Sequence, residues 1–325
     1  MQLSDSFGRK FYYLRLSITD VCNFKCEYCL PDGYKHTKKN CFISLDEIRR
    51  TVEAFAQVGT QKVRITGGEP ALRKDLTQII ETIAAIPQIK KIAMTTNGYN
   101  LAKKAQQWFD AGLNQINISV DSLNANSFNK ITGVNRFDDV MRGIDKALEV
   151  GFDKIKINSV LIKNFNDHEL GLFLDFIKQR PVEMRFIELM ECGDTNSFYQ
   201  QHHYSGEHIK QRLEADNWQL NENAKDAGPA QVYSHPDYQG QLGLIMPYSQ
   251  DFCATCNRLR VSSLGKMHLC LFGDYGIDIR DLLQRDDQRQ QLVSRLHEAV
   301  ATKDVSHYLH QGHTGQTPHL ASIGG

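Results

Sequence analysis

Eight cysteines stand in the 325-residue chain, and six of them fall into two groups of three. The first group is Cys22, Cys26 and Cys29, spaced C-x3-C-x2-C; the second is Cys253, Cys256 and Cys270, spaced C-x2-C-x13-C. Clustered thiols in a reducing compartment point to metal or redox chemistry rather than to disulfides. Three close thiolates can hold three irons of a [4Fe–4S] cluster and leave the fourth iron open to a ligand. A structural zinc site takes four ligands, commonly as two C-x2-C pairs, and the first group lacks that spacing. The second group leaves two readings open: another cluster with an open iron, or zinc completed by His268 or Cys192. Cys41 and Cys192 stand outside both groups, and a lone cysteine is usually a small buried hydrophobe.

Other residues of chemical interest end or interrupt apolar runs. Ile65-Thr-Gly67-Gly68-Glu69-Pro70 offers two glycines that let backbone approach a ligand closely, followed by a carboxylate that could accept from an ammonium group. Gly-Gly alone would signal only a turn. Thr95-Thr-Asn97-Gly98 and Ser119-Val-Asp121 place polar groups where later strands end. Cations lie inside the strands themselves: Arg15, Lys62 and Arg64, Lys154 and Lys156, and Arg185. Strands covered on both faces are normally near-continuous apolar runs, and a buried unpaired charge is costly. Either a polyanionic ligand or acids such as Glu69, Asp121, Glu183 and Glu188 must answer these cations; Lys62 and Lys154 could instead sit at exposed strand starts.

The elements that would position these groups alternate in type. β-Branched runs at Leu14–Thr19, Lys62–Thr66, Lys91–Thr95, Gln115–Val120, Lys154–Val160 and Val182–Glu188 are separated by helical patterns near Ser44–Val58, Lys74–Ile86, Leu101–Ala111, Phe137–Val150 and Asp167–Gln179. Ser44-Leu-Asp-Glu47 is a capping box, and Gly59, Gly112 and Gly151 follow helix ends. Six such units predict an α/β fold, a partial (β/α)6 TIM-like barrel, with ligand groups at the carboxyl ends of the strands. The rhythm breaks near Asn221. Short runs at Gln231–Tyr233, Leu242–Ile245, Arg258–Val261 and Lys266–Leu269 predict a smaller C-terminal, cluster-bearing domain. The domains are thus residues 1–220 and 221–325, ending in an extended His- and Gly-rich tail, His307–Gly325. A formal net charge of zero supplies no global field for nucleic acid, so any anion site must concentrate charge locally. No apolar run is long enough to span a bilayer, and Met1–Lys10 lacks the apolar core of a signal peptide, so a cytoplasmic location is expected.

The first cysteine motif, with Tyr28 just before its last cysteine, and the Gly67-Gly68-Glu69-Pro70 loop resemble the radical S-adenosylmethionine (SAM) superfamily. The second motif, together with the terminal Gly324-Gly325, makes the chain similar from about residue 7 to 325 to the GTP 3′,8-cyclase family of molybdenum cofactor biosynthesis. The resemblance implies two [4Fe–4S] clusters: one on Cys22, Cys26 and Cys29 that reductively cleaves SAM, and one on Cys253, Cys256 and Cys270 whose open iron faces guanine. It implies SAM contacts at Tyr28, Gly67, Gly68, Glu69, Ser119 and Met190. It implies GTP contacts at Arg15, Arg64, Thr95, Lys156, Arg258 and Arg260, with Arg185 as a further strand cation of that site. The terminal Gly324 and Gly325 are implied to act in catalysis. In the implied reaction a 5′-deoxyadenosyl radical takes hydrogen from ribose C3′ of GTP, and C3′ then joins C8 to give 3′,8-cyclo-7,8-dihydro-GTP. A flavodoxin or ferredoxin would donate the electron, and a cyclic pyranopterin monophosphate synthase would take the product. A homodimer is compatible, and neither membrane nor nucleic acid is expected as a partner. No role follows for His307, His310, His313 or His319, or for Cys192 beside the sixth strand.

Two alternatives remain at this level. A radical SAM peptide- or protein-modifying enzyme also carries auxiliary clusters, usually with more cysteines. A zinc-stabilised interaction module would explain the second group without catalysis.

Overall fold

The computed structural model describes residues 2–35, 41–191, 196–222, 228–249, 252–273, 276–315 and 323. Its first part alternates strand and helix: β1 (Tyr13–Ser17), α1 (Leu45–Gln57), β2 (Lys62–Thr66), α2 (Leu76–Ala84), β3 (Lys91–Thr96), α3 (Leu101–Asp110), β4 (Gln115–Ser119), α4 (Ala125–Thr132), α5 (Phe137–Val150), β5 (Lys154–Leu161), α6 (Leu170–Lys178) and β6 (Glu183–Glu188). The rest comprises α7 (Asn196–His202), α8 (Glu207–Ala215), β7 (Gln219–Leu220), β8 (Gln231–Ser234), β9 (Gln241–Ile245), β10 (Arg258–Val261), β11 (Lys266–His268), β12 (Ile277–Asp278) and α9 (Arg289–Ala301).

Local chemistry sets the boundaries. At the start of α1 the Ser44 hydroxyl accepts from the Glu47 amide at 3.2 Å, and the Glu47 carboxylate accepts from the Ser44 amide at 2.7 Å. Ile48, Val52 and Phe55 then bury one face of the helix at helical spacing. Within β2, Val63 and Ile65 join the apolar core, while Lys62 and Arg64 turn to the opposite face, as period-two geometry requires.

The strands form one sheet in the order β12-β11-β10-β1-β2-β3-β4-β5-β6-β9-β8-β7. β1 to β6 are parallel in sequence order, which bears out the partial barrel. The last third of the chain adds to both edges of that sheet. β9 lies parallel beside β6, and β10 lies parallel beside β1. β7, β8, β11 and β12 continue the edges antiparallel. α9 packs on α1, and the Arg280 guanidinium donates to Glu47 at 2.8 Å, tying the end of the chain to its first helix.

The tail departs from the expected extended form. His307 is buried with its ring edge-on to Phe252 and Phe272, Leu309–Gln311 make a 3-10 turn, and Ile323 is only 2% exposed. Apolar and aromatic contacts hold these described residues of the segment on the body.

Candidate active site

The first cysteine group occupies the loop that follows β1, at the carboxyl end of the sheet. Cys22, Cys26 and Cys29 are each partly buried. The Cys29 amide donates to the Cys26 carbonyl at 2.9 Å, closing a turn that brings those two residues together. The Gly-Gly loop after β2 holds this segment by backbone alone: Gly68 N–H donates to Thr19 O, and Glu69 N–H to Val21 O, both at 2.8 Å. Gly67 has φ +145°, and a Cβ there would stand 2.2 Å from Thr19 O; a Cβ on Gly68 would stand 2.4 Å from Val21 O. These glycines are therefore needed for loop-to-loop approach.

Burial pushes the Cys22 thiol up to about 11 and holds Cys26 well above the usual thiol range; Asp121, Cys29 and Cys22 add to the Cys26 shift in that order. Thiols grouped like this do not ionise without a compensating cation, and ligation to iron supplies one. The donor set and its electrostatics fit a cluster.

The Glu69 carboxylate is fully buried and accepts from Ala71 N–H (2.9 Å), the Thr96 hydroxyl (2.8 Å) and Asn97 N–H (2.6 Å). It clamps the ends of β2 and β3 together with three of the roughly four acceptor positions of a carboxylate. Burial raises its pKa to about 7. Asn97 also reaches the cysteine loop, donating to Asn23 Oδ1 at 2.9 Å. Tyr28 donates to Asp121 at 2.9 Å, and Asp121 accepts from Val160 N–H at 2.9 Å, so β4 and β5 fix the Tyr28 ring. Ser119 closes β4 beside Asn158.

A cavity of about 1090 Å³, mouth included, runs inside the sheet. Nine Lys or Arg side chains line it against one carboxylate, Asp304. Arg15, Arg64, Lys156, Arg185, Arg258 and Arg260 are all in its wall, as are Met190 and all three cysteines of the second group. Thr95 joins through its hydroxyl, which accepts from Arg64 Nη1 at 3.3 Å. Among the acids considered as partners for the strand cations, only Glu183 stands with them: it pairs with Lys154 at 2.7 Å, Lys156 at 3.4 Å and closely with Arg185. Glu188 instead pairs with His203 at 2.8 Å. Lys62 lies in the cavity wall as well, so it is no exposed strand start, whereas Lys154 is partly exposed.

The charges are crowded. Burial and then neighbouring cations, Arg260 and Arg64, draw Arg15 down to about 9; burial and Arg258 draw Arg260 down to about 10; burial and Arg185 draw Lys156 down to about 5. Burial alone would raise the Tyr13 hydroxyl, but Arg64, Arg15, Lys62 and Arg258 outweigh it and bring it to about 8. Arg64 Nε, Arg260 Nε, Asn117 Oδ1 and Asn158 Oδ1 are buried without a hydrogen-bond partner among the described residues. Such groups call for a ligand rich in anionic oxygens and in donors.

The second cysteine group has different electrostatics. Burial raises Cys253, and Cys270 and Cys256 are near enough to raise it further. Burial also raises Cys256, but Arg258, Lys303 and Arg260 overcome it and bring the thiol to about 7. His268, one fourth ligand considered for zinc, is not in the cavity wall, and Cys192 lies outside the described residues, as do Gly324 and Gly325. Among the described residues, no three His, Cys, Asp or Glu side chains converge on a single metal-ion position.

The two groups lie towards opposite ends of β1. Arg258, two residues after Cys256, pairs in register with Tyr13 at the start of β1, while Cys22 lies past Ser17 at its end. Roughly 13 Å of strand, four steps of about 3.3 Å, separates those two levels, and the cationic side chains fill the interval.

Several wall residues escaped the sequence reading. Tyr13 holds Lys62 and Arg64 over its ring at 5.1 and 5.6 Å; its place two residues before Arg15 was the available signal. Asn117 and Asn158 are polar interruptions of β-branched strands, the same signal that marked the cations. Nothing local marks Arg9 or Lys303.

A parallel, partly closed barrel with a three-thiol loop after its first strand defines the class, and residues 16–177 match the family model described as Radical SAM superfamily. Residues 182–309 match Molybdenum Cofactor Synthesis C. Curated relatives named GTP 3′,8-cyclase include one from Vibrio parahaemolyticus, 59% identical over all of this chain and 98% of the relative. One from Vibrio vulnificus is 60% identical with the same coverage, and one from Yersinia pestis is 56% identical over all of both chains. The chain belongs to the GTP 3′,8-cyclase family of radical SAM proteins. Among solved structures, Streptococcus suis SuiB bound to S-adenosylmethionine superposes with a TM-score of 0.65 at 14% identity, over 90% of this chain and 68% of that one. That likeness concerns the fold.

Proposed function

We propose that this chain is a radical SAM enzyme that converts GTP to 3′,8-cyclo-7,8-dihydro-GTP in molybdenum cofactor biosynthesis. The observation that carries the reading is the cavity itself: nine cations against one acid, partnerless buried polar atoms, and one thiol triad in its wall with the other at the far end of the same strands. Cys22, Cys26 and Cys29 hold one [4Fe–4S] cluster, and Cys253, Cys256 and Cys270 hold the second. When bound, these clusters and SAM would supply the one-electron chemistry that draws the hydrogen from ribose C3′, and the second cluster an open iron for a ligand atom.

The protein's residues do the rest. Arg15, Arg64, Lys156, Arg185, Arg258 and Arg260 neutralise the triphosphate and fix its place, guanidinium groups doing so by paired hydrogen bonds. Thr95, held by Arg64, completes that lining. Tyr28, Ser119, Met190 and the Gly67-Gly68 backbone contact SAM, and Glu69 keeps their loop in place. The cavity wall shields the C3′–C8 bond-forming step from water. Gly324 and Gly325 take part in catalysis. Residues 1–220 act as the radical-generating unit, and 221–325 as the unit for the second cluster and the nucleotide. The enzyme works in the cytoplasm, takes its electron from a flavodoxin or ferredoxin, and passes product to a cyclic pyranopterin monophosphate synthase.

The test is GTP deuterated at C3′, incubated anaerobically with SAM, reductant and reconstituted protein. Deuterium in 5′-deoxyadenosine is expected. Unlabelled deoxyadenosine would move the reading to a peptide substrate, and none at all with both clusters intact would end it.

A further inference from the structure

Two of the cations in the cavity wall, Arg9 and Lys303, direct their donors to the backbone around the second cysteine group. Arg9 comes from the N-terminal turn. There the buried Asp5 carboxylate accepts from the Phe7 and Arg9 amides at 3.0 and 2.9 Å and from Arg9 Nε at 2.6 Å. Leu3 and Phe11, both in the core, pin that turn to the body. Arg9 Nη1 donates to Cys253 O at 3.2 Å and to Val305 O at 2.8 Å, and Nη2 donates to Asp304 O at 2.5 Å. Cys253 O also accepts from Cys256 N–H at 3.1 Å, the bond that closes the C-x2-C turn. Four of the five N–H groups of this guanidinium are thereby engaged. The stretch after α9 completes the hold. Lys303 donates to the carbonyl of Leu269, the residue before Cys270, at 2.5 Å. The Cys253 sulfur accepts from the His307 N–H and the Ser306 hydroxyl. Lys303 to His307 thus reach both arms of the triad, directly or through Arg9.

We infer that Arg9, seated on Asp5, and Lys303 are positioning residues of the second triad, which tie its Cys253 and Cys270 arms to one stretch of chain and act on the nucleotide only through the cluster. A guanidinium whose fork is filled by main-chain carbonyls has one N–H left and cannot grip a phosphate by paired hydrogen bonds. Lys303, drawn to the Leu269 carbonyl, likewise faces the triad's own backbone. Holding the backbone on either side of a thiolate fixes the direction in which the sulfur points, as outer partners do at metal sites. The two cations come from opposite ends of the sequence, so the triad is set by tertiary structure and not by its own loops alone. The inference rests on the cyclase reading for the nucleotide it names; the hold on the triad is independent of that reading.

The experiment uses full-length protein with both clusters reconstituted, as wild type, Arg9→Lys, Lys303→Met and Asp5→Asn. Arg9→Lys keeps the charge and loses the fork. Asp5 is not in the cavity wall, and Asp5→Asn keeps an oxygen for the turn amides while losing the ion pair with Arg9, so it reports on Arg9 even where Arg9→Lys fails to fold. Iron release to a chelator is followed with time. The EPR signal that does not respond to SAM, which belongs to the second cluster, is recorded before and after GTP or GMP, and both affinities are taken from it. Deoxyadenosine formed from SAM without nucleotide is measured in parallel. Arg9→Lys and Lys303→Met should release half of their iron about tenfold or more faster than wild type and the other half at the wild-type rate. Asp5→Asn should move in the same direction. The SAM-insensitive signal should change before any nucleotide is added, GTP and GMP affinities should fall by the same factor, and deoxyadenosine formation should stay at its wild-type rate. Wild-type iron release in both Arg9→Lys and Asp5→Asn overturns the inference, and a loss of GTP affinity with GMP affinity kept would then make Arg9 a phosphate ligand. Iron lost equally fast from both halves also overturns it, as a general loosening of the fold. A wild-type signal that ignores GTP and GMP alike would sink the cyclase reading and leave the hold on the triad to be decided by iron release.

Discussion

Gly68→Ala isolates the contact between the two loops at the carboxyl end of the sheet. Gly68 does not need a left-handed backbone, so the substitution adds only a methyl group. That methyl would lie 2.4 Å from Val21 O and 2.6 Å from Asp20 O, both backbone atoms. Ordinary contact begins near 3.4 Å, so a gap of about 1 Å must open. The segment that must move runs directly into Cys22. Opening it stretches the bonds from Gly68 N–H to Thr19 O and from Glu69 N–H to Val21 O, each worth roughly 0.5–1.5 kcal/mol. With strain in the Glu69 clamp, a loss of about 2–4 kcal/mol is expected, or a melting temperature lower by roughly 3–6 °C. Metal sites tolerate ligand displacements of only about 0.2 Å, so the first cluster should fail to assemble while the second survives. Iron per chain after anaerobic reconstitution should drop from roughly eight to roughly four, and SAM cleavage should be lost. Gly171→Ala is the control, since a Cβ there meets nothing within 4 Å. Full iron loading and normal SAM cleavage in Gly68→Ala would refute the argument that these glycines serve loop approach.

Further outcomes follow from the charge in the cavity. Burial and Arg185 hold Lys156 near 5, so it is mostly neutral at pH 7 in the free protein; a triphosphate beside it restores the charge, and GTP binding should take up close to one proton. Calorimetry in two buffers of different ionisation enthalpy reads this, and heats independent of buffer, or unchanged in Lys156→Met, would contradict it. Arg260→Met removes a buried cation that repels Arg258; the melting temperature should rise by roughly 2–6 °C while GTP affinity falls by about 10- to 100-fold. A drop in both would place Arg260 in an undetected structural pair. Glu47→Ala removes the reciprocal half of the α1 capping box and the bond to Arg280, a loss of about 1–3 kcal/mol at pH 7. Burial would raise Glu47, but the Arg280 bond and the Ser44 N–H overcome it and hold it near 2. A depressed carboxyl contributes above its unfolded value and loses that contribution as pH falls, so the gap between wild type and variant in urea melts should close between about pH 4.5 and 2.

The six central strands were legible because each is a compact β-branched run, and β2 and β10 begin and end where the sequence placed them. The helices that escaped notice divide by cause. α9 carries Leu292, Val293, Leu296, Ala299 and Val300 on one buried face, a periodic signal that was present and unread. α4 and α8 are short and bury only three and two side chains, so their pattern spans too few residues to stand out, and tertiary contact stabilises them. The cysteine groups and strand cations were legible because those residue types are costly in such surroundings unless used. That Glu69 would turn inward was not legible, since it depends on donors at Thr96 and Asn97 brought there by the next strand. Nor did any local feature announce that Ile323 returns to the body, because a single apolar residue has no period.

The seating of β10 against β1 bears on how the chain is made. The first strand emerges from the ribosome early, and its outer neighbour is encoded near residue 258. Until that stretch is synthesised, β1 presents a bare hydrogen-bonding edge, and β6 likewise waits for β9. Partial products that stall between these points would carry two open edges, so slow translation or truncation should favour association between nascent chains, and cluster insertion at the second triad can only follow completion of the barrel wall.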